Sequence, residues 1–330
     1  MALVIEAPYR ANPVIAARLA DLAKGVGAAV AADIEGVLAR ASGPVDGGTV
    51  PASEAEILVE RHGLASTREL ALLALPVARA LAHPPISGFR ASAVGIEAES
   101  GDLVLGWNVE FPGSELGWTI HAEGFAPLRA RRRGRTLAVL ALHEAHPCAH
   151  CRQVLAESAG ADELAIVDLL GHELALADLY PWPFRPTALG VPPDEPGSHP
   201  WPGLAFEGGA PPDDVAAVLV EVGSRAHAPY SGAPSAAALR LRDGRLLGAG
   251  CMENVAFNPT ISALQAGLVE LAAARARGDD VREAWLARVP DAPVDPAAGF
   301  RVLLEAVAPG ATSHVVGWRL PATPPRDADA

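Results

Sequence analysis

Cysteines, long apolar runs and a secretory leader are scarce or missing in this sequence, and each shortage excludes a class of protein. Three cysteines among 330 residues cannot form the disulfide framework of a small secreted domain. No apolar run approaches the roughly 20 residues that span a bilayer. Residues 1–24 lack the basic start and unbroken apolar core of a secretory signal. We therefore expect a cytoplasmic protein without membrane contact, whose cysteines serve metal or redox chemistry.

Basic charge is also in short supply. The formal net charge is −13, and such a surface repels phosphate backbones, because proteins bind nucleic acids mainly through Lys and Arg. One basic cluster consists of Arg129, Arg131, Arg132, Arg133 and Arg135. We interpret it as the solvated end of a helix rather than as a nucleic-acid patch, because no aromatic stacking residues lie among the arginines. We expect no nucleic-acid partner.

Hydrophobic patterning predicts helices first and an α/β layer after them. Residues 1–65 carry apolar residues at helical spacing, with a Gly/Pro-rich break at 42–49, and a further helix is expected over 66–81. From Ser92 onward, short apolar runs alternate with helical segments. Strands are expected at Ala93–Glu97, Leu103–Val109, Leu137–Leu142 and Leu164–Leu169, with helices from His121 and from Pro147.

Ten prolines fall within residues 181–212. They predict an extended linker that cannot join a sheet. We divide the chain into an N-terminal helical region (1–65), a first α/β domain (66–187), a Pro-rich linker (188–212) and a second domain (213–330), whose last ten residues, PATPPRDADA, are expected to be disordered.

The second domain resembles a degraded copy of the first. Pro85-Ile86-Ser87 recurs 144 positions later as Pro229-Tyr230-Ser231, and other matches recur at an offset of 143. The offset of 143 places Leu264-Gln265-Ala266 opposite His121-Ala122-Glu123. We therefore expect the second copy to lack every group that could bind metal or move a proton.

Two segments of the first copy carry metal chemistry. With Pro147 in the first turn of a helix, Cys148 and Cys151 lie on one face of that turn, where the helix dipole favours thiolates. His121 opens the other helix, and Glu123 lies beside it without having to be a ligand. One nitrogen and two sulfur ligands suit zinc, leave its fourth position open for water, and place a carboxylate nearby to move protons. H-x-E followed by P-C-x-x-C is the known signature of zinc deaminases, and both halves of that signature are present here.

A lone C-x-x-C pair also fits a structural zinc half-site or a redox pair. A saturated structural zinc site would need a fourth ligand, for which His143, His146, His150 and Cys251 are the candidates. We interpret His143 and His150 as ordinary polar histidines, and Cys251 as a small buried residue of the second copy.

In addition to the metal motif, longer stretches of the chain resemble the cytidine deaminase family, and within it the two-domain, homodimeric, zinc-dependent class. The resemblance runs from about Ser66 to Phe300 and includes Gly-Trp-Asn-Val-Glu-Phe (106–111), Cys-Arg-Gln (151–153) and the segment from Pro229 to Thr260. It implies a three-layer α/β/α fold with a mixed sheet, present as a catalytic and a degenerate copy, one Zn²⁺ per subunit and a homodimer. The implied reaction is hydrolytic deamination of free cytidine and deoxycytidine to uridine and deoxyuridine in pyrimidine salvage, by attack of zinc-bound hydroxide at C4.

The resemblance also assigns roles to individual residues. His121, Cys148 and Cys151 would ligate zinc, and Glu123 would be the catalytic proton shuttle. Five residues would bind substrate: Asn108 and Glu110 at the ribose 3′-hydroxyl, Phe89 on the base, the backbone of Ala122 at the pyrimidine carbonyl, and Phe184 closing the pocket. The segment around Phe257 resembles one that reaches the partner subunit's site.

Three positions depart from the family pattern and leave the substrate's substituents open: Arg90, Ala145 and Pro127, the last of which removes a helical hydrogen bond. Two alternatives are therefore kept, a deaminase of a modified nucleoside and a catalytically silent zinc-binding relative. Deamination of bases within RNA or DNA is disfavoured by the acidic surface and by the ribose contacts of Asn108 and Glu110.

Overall fold

The computed structural model describes residues 11–41, 45–143 and 146–320. Residues 42–44 of the expected break, Ala145 and the tail 321–330 lie outside this range. The chain begins with α1 (Pro13–Gly25), α2 (Gly27–Arg40), β1 (Thr49–Val50), α3 (Ala52–Arg61) and α4 (Thr67–Leu81). Asn12 caps α1 through the N–H groups of the next turn, and Ser66 caps α4, the helix expected over 66–81. Among the described residues, no helix is both long and apolar enough to cross a membrane.

The first sheet is mixed. Its elements are β2 (Ser92–Glu97), β3 (Leu103–Trp107), α5 (Ala122–Arg132), β4 (Leu137–Leu142), α6 (Ala149–Leu155), β5 (Ala165–Asp168) and β6 (Glu173–Ala175). The strand order is β1-β3-β2-β4-β5-β6. Strands β4 and β5 are parallel, and every other neighbouring pair is antiparallel. The strands expected from the apolar runs are therefore present, within two residues at each end.

Side chains on the two faces of this sheet belong to different cores. Val94 and Val139 pack in a cluster with the leucines of α4, whereas Ala93 and Leu140 pack with the first residues of α5 and with Leu155 of α6. This alternation with period two places α4 on one face and α5 with α6 on the other. The expected three-layer arrangement follows from it.

The second half of the chain contains another sheet. After α7 (Leu176–Leu179) come β7 (Ala205–Glu207), α8 (Asp213–Ser224), β8 (Ala236–Leu241), β9 (Leu246–Gly250), α9 (Ala263–Ala273), β10 (Val281–Arg288), α10 (Ala297–Val307) and β11 (Thr312–Arg319). The order is β7-β11-β10-β8-β9, with β10 and β11 parallel.

Strand β7 corrects the expectation that the Pro-rich linker cannot join a sheet. Residues 205–207 pair antiparallel with β11, and the Phe206 ring lies 6.1 Å from the Trp318 ring. The run between Pro202 and Pro211 contains no proline, so its N–H groups are free to pair, and an edge strand pairs on one side only.

Four strands of each sheet share one topology, β3-β2-β4-β5 in the first and β9-β8-β10-β11 in the second. The hairpin β8–β9 corresponds to β2–β3, and β7 takes the edge position that β6 has in the first sheet. Helices α5 and α9 both have 11 residues and start after N-caps His121 and Ser262. The offset at this point is therefore 141, not 143, because the connection into α9 is two residues shorter. Glu123 lies opposite Leu264, and the second copy lacks the chemistry in this alignment as well.

The arginine cluster is not the solvated helix end that we expected. Its first member, Arg129, is fully buried, because the last turns of α5 face the second domain and loops of the first rather than solvent. Four of the arginines pair with carboxylates: Arg129 with Glu270, Arg131 with Asp194, Arg132 with Glu221 and Arg133 with Glu97. The first and third of these carboxylates lie on α9 and α8, so part of the cluster holds the domains together.

A second polar network crosses the same interface. Buried Glu157, just after α6, accepts hydrogen bonds from the Tyr230 hydroxyl and the Val255 N–H, and lies 2.8 Å from His227. The other ring nitrogen of His227 lies 3.1 Å from Asp194. Burial lowers the pKa of His227, but its hydrogen bonds to Asp194 and Glu157 outweigh burial and raise that pKa above its ordinary value. The two carboxylates therefore stabilise the protonated form of His227 relative to a histidine in water.

Candidate active site

Two helix N-termini bring the expected zinc ligands together. His121 is the N-cap of α5, with no capping hydrogen bond from its side chain, so the imidazole is free to face the cysteines. Cys148 is the N-cap of α6, and its sulfur accepts the Cys151 N–H at 3.5 Å. Helix α6 thus starts at Ala149, later than the start at Pro147 that we expected, because the Cys148 backbone is extended in order to cap the helix.

The three donor atoms fit a zinc ion. His121 Nδ1 lies 3.7 Å from Cys148 Sγ and 3.5 Å from Cys151 Sγ, and the two sulfurs are 3.6 Å apart. Tetrahedral zinc with ordinary Zn–S and Zn–N bond lengths separates such donors by about 3.5–3.8 Å. In the described ranges, no fourth His, Cys, Asp or Glu joins this group within 4.8 Å.

Two of the candidates for a fourth ligand have other partners. His146 groups with Asp168 and His172 instead. Cys251 is buried in the second domain and accepts the Ser235 N–H. The geometry therefore favours three protein ligands and an open position, which is the arrangement of catalytic zinc sites.

The two thiols titrate as a pair. Hydrogen bonds from the Cys151 thiol and N–H, together with the nearby His121, lower the pKa of Cys148 to about 4. The pKa of Cys151 is raised, first because its proton is shared with Cys148 and then because it is buried. A metal cation bound to both sulfurs would displace the proton that they share.

Glu123 is the second residue of α5 and is only 7% exposed. Burial raises the pKa of its carboxyl group, and the nearby Cys148 raises it further, against the opposing effects of its own N–H and of His121. A carboxyl group that holds its proton more tightly than usual is suited to move protons near neutral pH. Helix α5 continues through Pro127, which has no N–H to donate to the Glu123 carbonyl.

The expected ribose-binding side chains hold the loop between α4 and β2. Glu110 accepts the N–H groups of Ile86 and Ser87 and the Ser87 hydroxyl. Burial raises the pKa of Glu110, but these bonds outweigh it and lower the pKa overall. Asn108 donates to the Phe89 carbonyl at 2.8 Å and accepts the Ala91 N–H at 2.9 Å. A carboxylate has about four acceptor positions and an amide has two donors and two acceptors, so both groups keep capacity for a ligand.

The second domain repeats this arrangement without the metal. Glu253 accepts the N–H groups of Tyr230 and Ser231 and the Ser231 hydroxyl, as Glu110 does at its own loop. Cys251 stands where Asn108 stands in the first domain and accepts the Ser235 N–H. This set of hydrogen bonds, which we call the loop lock, is thus also present in the second domain, where the metal ligands are missing. Holding the loop is therefore one role of Glu110.

The remaining expected residues lie at the edges of the site. Ala122 is the first residue of α5, so its N–H has no partner within the helix. Phe89 and Phe184 are 50% and 43% exposed. The Phe184 carbonyl accepts from Gln153 of α6 at 2.7 Å. Phe257 is 62% exposed and has a positive φ of 62°, and it extends from a turn that Asn254 fastens to the Gln153 carbonyl.

Comparisons with known proteins place this geometry in a family. A family model of the cytidine and deoxycytidylate deaminase zinc-binding region matches residues 65–167, and a second model of the same description matches residues 208–298. Cytidine deaminase of Proteus mirabilis is 35% identical over 219 residues, which cover 66% of this chain and 72% of that protein. Cytidine deaminase of Vibrio parahaemolyticus is 33% identical over 264 residues, which cover 79% and 86%.

The chain belongs to the cytidine and deoxycytidylate deaminase family. The matches confirm the expected zinc-dependent hydrolytic deaminase, its Zn²⁺ cofactor and its duplicated α/β fold. A crystal structure of cytidine deaminase from Burkholderia pseudomallei, 28% identical, matches 36% of this chain and 100% of its own length with a TM-score of 0.32.

Three positioning residues of this deaminase were missed from the sequence. Ser87 fixes Glu110, and the repeated Pro-x-Ser was the signal for it. Arg152 donates to the Pro147 carbonyl at 2.6 Å and to the Leu179 carbonyl at 2.7 Å, which braces the turn that carries Cys148. Gln153 holds the Phe184 carbonyl and accepts the Tyr180 hydroxyl. The last two belong to the Cys-Arg-Gln segment, whose spacing alone does not reveal these contacts.

Proposed function

We propose that this enzyme hydrolytically deaminates free cytidine and deoxycytidine to uridine and deoxyuridine, within pyrimidine salvage. The observation that carries the proposal is the convergence of His121, Cys148 and Cys151 at zinc-compatible distances beside a buried carboxyl group, Glu123, with a raised pKa. The cytidine deaminases of Proteus mirabilis and Vibrio parahaemolyticus, to which the chain is similar, support the choice of substrate.

His121, Cys148 and Cys151 would hold one Zn²⁺ per subunit. A bound zinc ion supplies Lewis acidity, which lowers the pKa of a water molecule at the open position. Glu123 takes a proton from the attacking water and gives it to ring N3; it then takes the proton of the hydroxyl group added at C4 and gives it to the amine, which leaves as ammonia. The Ala122 N–H donates to the pyrimidine carbonyl and so fixes the ring's orientation.

Substrate size follows from the ribose contacts. We assign the remaining acceptor position of Glu110 and the free amide donor of Asn108 to the 3′-hydroxyl. A polymer has a phosphodiester at that oxygen, so the carboxylate would meet a phosphate in place of a hydroxyl donor. Phe89 packs on the base and Phe184 closes the pocket. This arrangement favours a free nucleoside over RNA or DNA.

We propose a cytoplasmic homodimer in which each protomer completes its partner's site. Exposed Phe257, held in its turn by Asn254, is the residue that would reach across. We keep the division into residues 1–65, 66–187, 188–212 and 213–330, in which the second and fourth parts each form most of one sheet, and the edge strands β1 and β7 are added from the first and third parts.

A substrate panel tests the proposal. Purified zinc-loaded protein is given cytidine, deoxycytidine, 5-substituted cytidines, a 3′-phosphorylated cytidine and a cytosine-containing oligonucleotide, and the products are separated by chromatography. We expect turnover of the two free nucleosides and none of the 3′-blocked substrates. Turnover of the modified nucleosides alone would replace the proposed substrate, and no turnover at all would indicate a silent relative.

A further inference from the structure

Outside the deaminase site, three potential metal ligands meet at the far end of β5. Asp168 is the last residue of β5, and His172 follows it across a tight turn into β6. His146 comes from the segment that leads into α6. The ligand atoms of the three residues all lie within 4.8 Å of one another. The deaminase mechanism uses none of them.

The distances suit one small cation. His172 Nδ1 lies 2.7 Å from Asp168 Oδ2, and His146 Nε2 lies 3.5 Å from the same oxygen. Donors bound at about 2.1 Å to one tetrahedral or octahedral ion are about 3.0–3.4 Å apart. The observed separations lie on either side of that range, so small rotations of the side chains would suffice.

The carboxylate is already oriented for this task. Its other oxygen, Asp168 Oδ1, accepts the N–H groups of Leu170 and His172 at 2.9 and 3.0 Å. These bonds leave Oδ2 directed at the two imidazoles, which is how ligating carboxylates are usually held. The side chains of Asp168 and His172 are each 11% exposed, whereas that of His146 is 39% exposed, so an ion has a route from solvent.

We propose that His146, Asp168 and His172 form a second metal site, for a divalent transition cation of the Zn²⁺, Co²⁺ or Ni²⁺ class. Two imidazoles select these ions over Ca²⁺ and Mg²⁺, which prefer all-oxygen ligands. Because His146 precedes Cys148 by two residues, an ion there ties the segment that carries a catalytic ligand to the β5–β6 turn. The site does not depend on the proposed substrate.

Zinc stoichiometry tests the proposal. The zinc-loaded enzyme, freed of loosely bound metal, is dialysed against buffered Zn²⁺, and zinc per chain is measured by mass spectrometry for wild type, His172→Ala and Asp168→Asn. We expect wild type to bind one equivalent more than either variant, and the affinity for that equivalent to fall at least about tenfold in each. His62→Gln is the matched control, because His62 and Asp33 form a His–carboxylate pair outside both groups of three, and it should behave as wild type.

Two results would overturn the proposal. If wild type and both variants each bind only one zinc ion per chain, the cluster is only a hydrogen-bonded turn. If an extra equivalent binds equally to wild type and to both of these variants, it lies elsewhere. Loss of deaminase activity is not the readout, so failure of the proposed function would leave this comparison intact. Circular dichroism of each variant establishes that it is folded.

Discussion

Replacing Arg129 by methionine should destabilise the protein far more than replacing an exposed arginine. The guanidinium is fully buried, pairs with Glu270 of α9 and donates to the carbonyls of Val45 and Gly47. Arg129→Met leaves a buried carboxylate without a counter-charge, at a cost of about 3–5 kcal/mol. The double variant Arg129→Met/Glu270→Met removes both charges and should recover most of that loss.

Thermal and urea unfolding of both single variants, the double variant and Arg301→Met would measure this coupling. We expect Tm of Arg129→Met to fall by roughly 6–15 °C, with Arg301→Met, an exposed position on α10, close to wild type. A loss below about 1 kcal/mol for Arg129→Met would refute the argument, because surface pairs have that value. A double variant as unstable as the sum of the singles would refute it too.

Three further changes test the interface, the start of α5 and the loop lock. His227→Gln should lower Tm most below about pH 6.5, and the difference in Tm from wild type should shrink as pH rises. The reason is that stability from a raised pKa is lost as the histidine deprotonates. A difference that grows with pH would contradict the raised pKa of His227. Gly106→Ala would place a Cβ 2.7 Å from the Ala122 carbonyl oxygen, so we expect zinc content and activity both to fall. Unchanged zinc content would show that α5 can shift without disturbing the metal ligands. Ser87→Ala should raise KM about tenfold with a smaller change in kcat. Ser231→Ala removes the equivalent hydroxyl from the loop lock of the second domain and should leave KM unchanged. Equal effects of the two variants on KM would mean that both loop locks contribute to stability alone.

Each half of the metal group could be predicted from sequence because the spacing within it is local. Cys148 and Cys151 are one helical turn apart, and that geometry does not depend on the rest of the fold. His121 and Glu123 likewise share one helix start. The apolar runs of β2 and β4 predicted their strands for the same reason, since period and length are properties of short segments.

What packs against an element could not be predicted in this way. In the sequence, the arginines of α5 have the pattern of a solvent-exposed helix end. The carboxylates that pair with two of them lie on α8 and α9, about 90–140 positions away in the chain. Strand β7 could not be predicted because the prolines were counted over a long segment, whereas pairing with β11 requires only three consecutive residues that are not proline. The offset of 141 was missed because no residue identity marks the start of α9.

The starts of α5 and α9 differ in a way that reflects the metal site. In the second domain, Ser262 and Gln265 form a reciprocal cap on α9, which satisfies two N–H groups. In the first domain His121 takes the cap position and makes no such bond. At equivalent positions, the first domain thus has a residue suited to metal binding and the second has one suited to helix stability, and such a local loss of stability is typical of functional sites.

The most direct test of the proposed mechanism is the ultraviolet absorbance of cytidine over time, measured with zinc-loaded wild type and with Glu123→Gln. We expect conversion to uridine by wild type and a loss of about 10²–10⁴-fold or more in the variant, with one zinc ion still bound in its catalytic site. Near-normal turnover by zinc-loaded Glu123→Gln would contradict the role of Glu123, and no conversion by zinc-loaded wild type would contradict the proposed substrate.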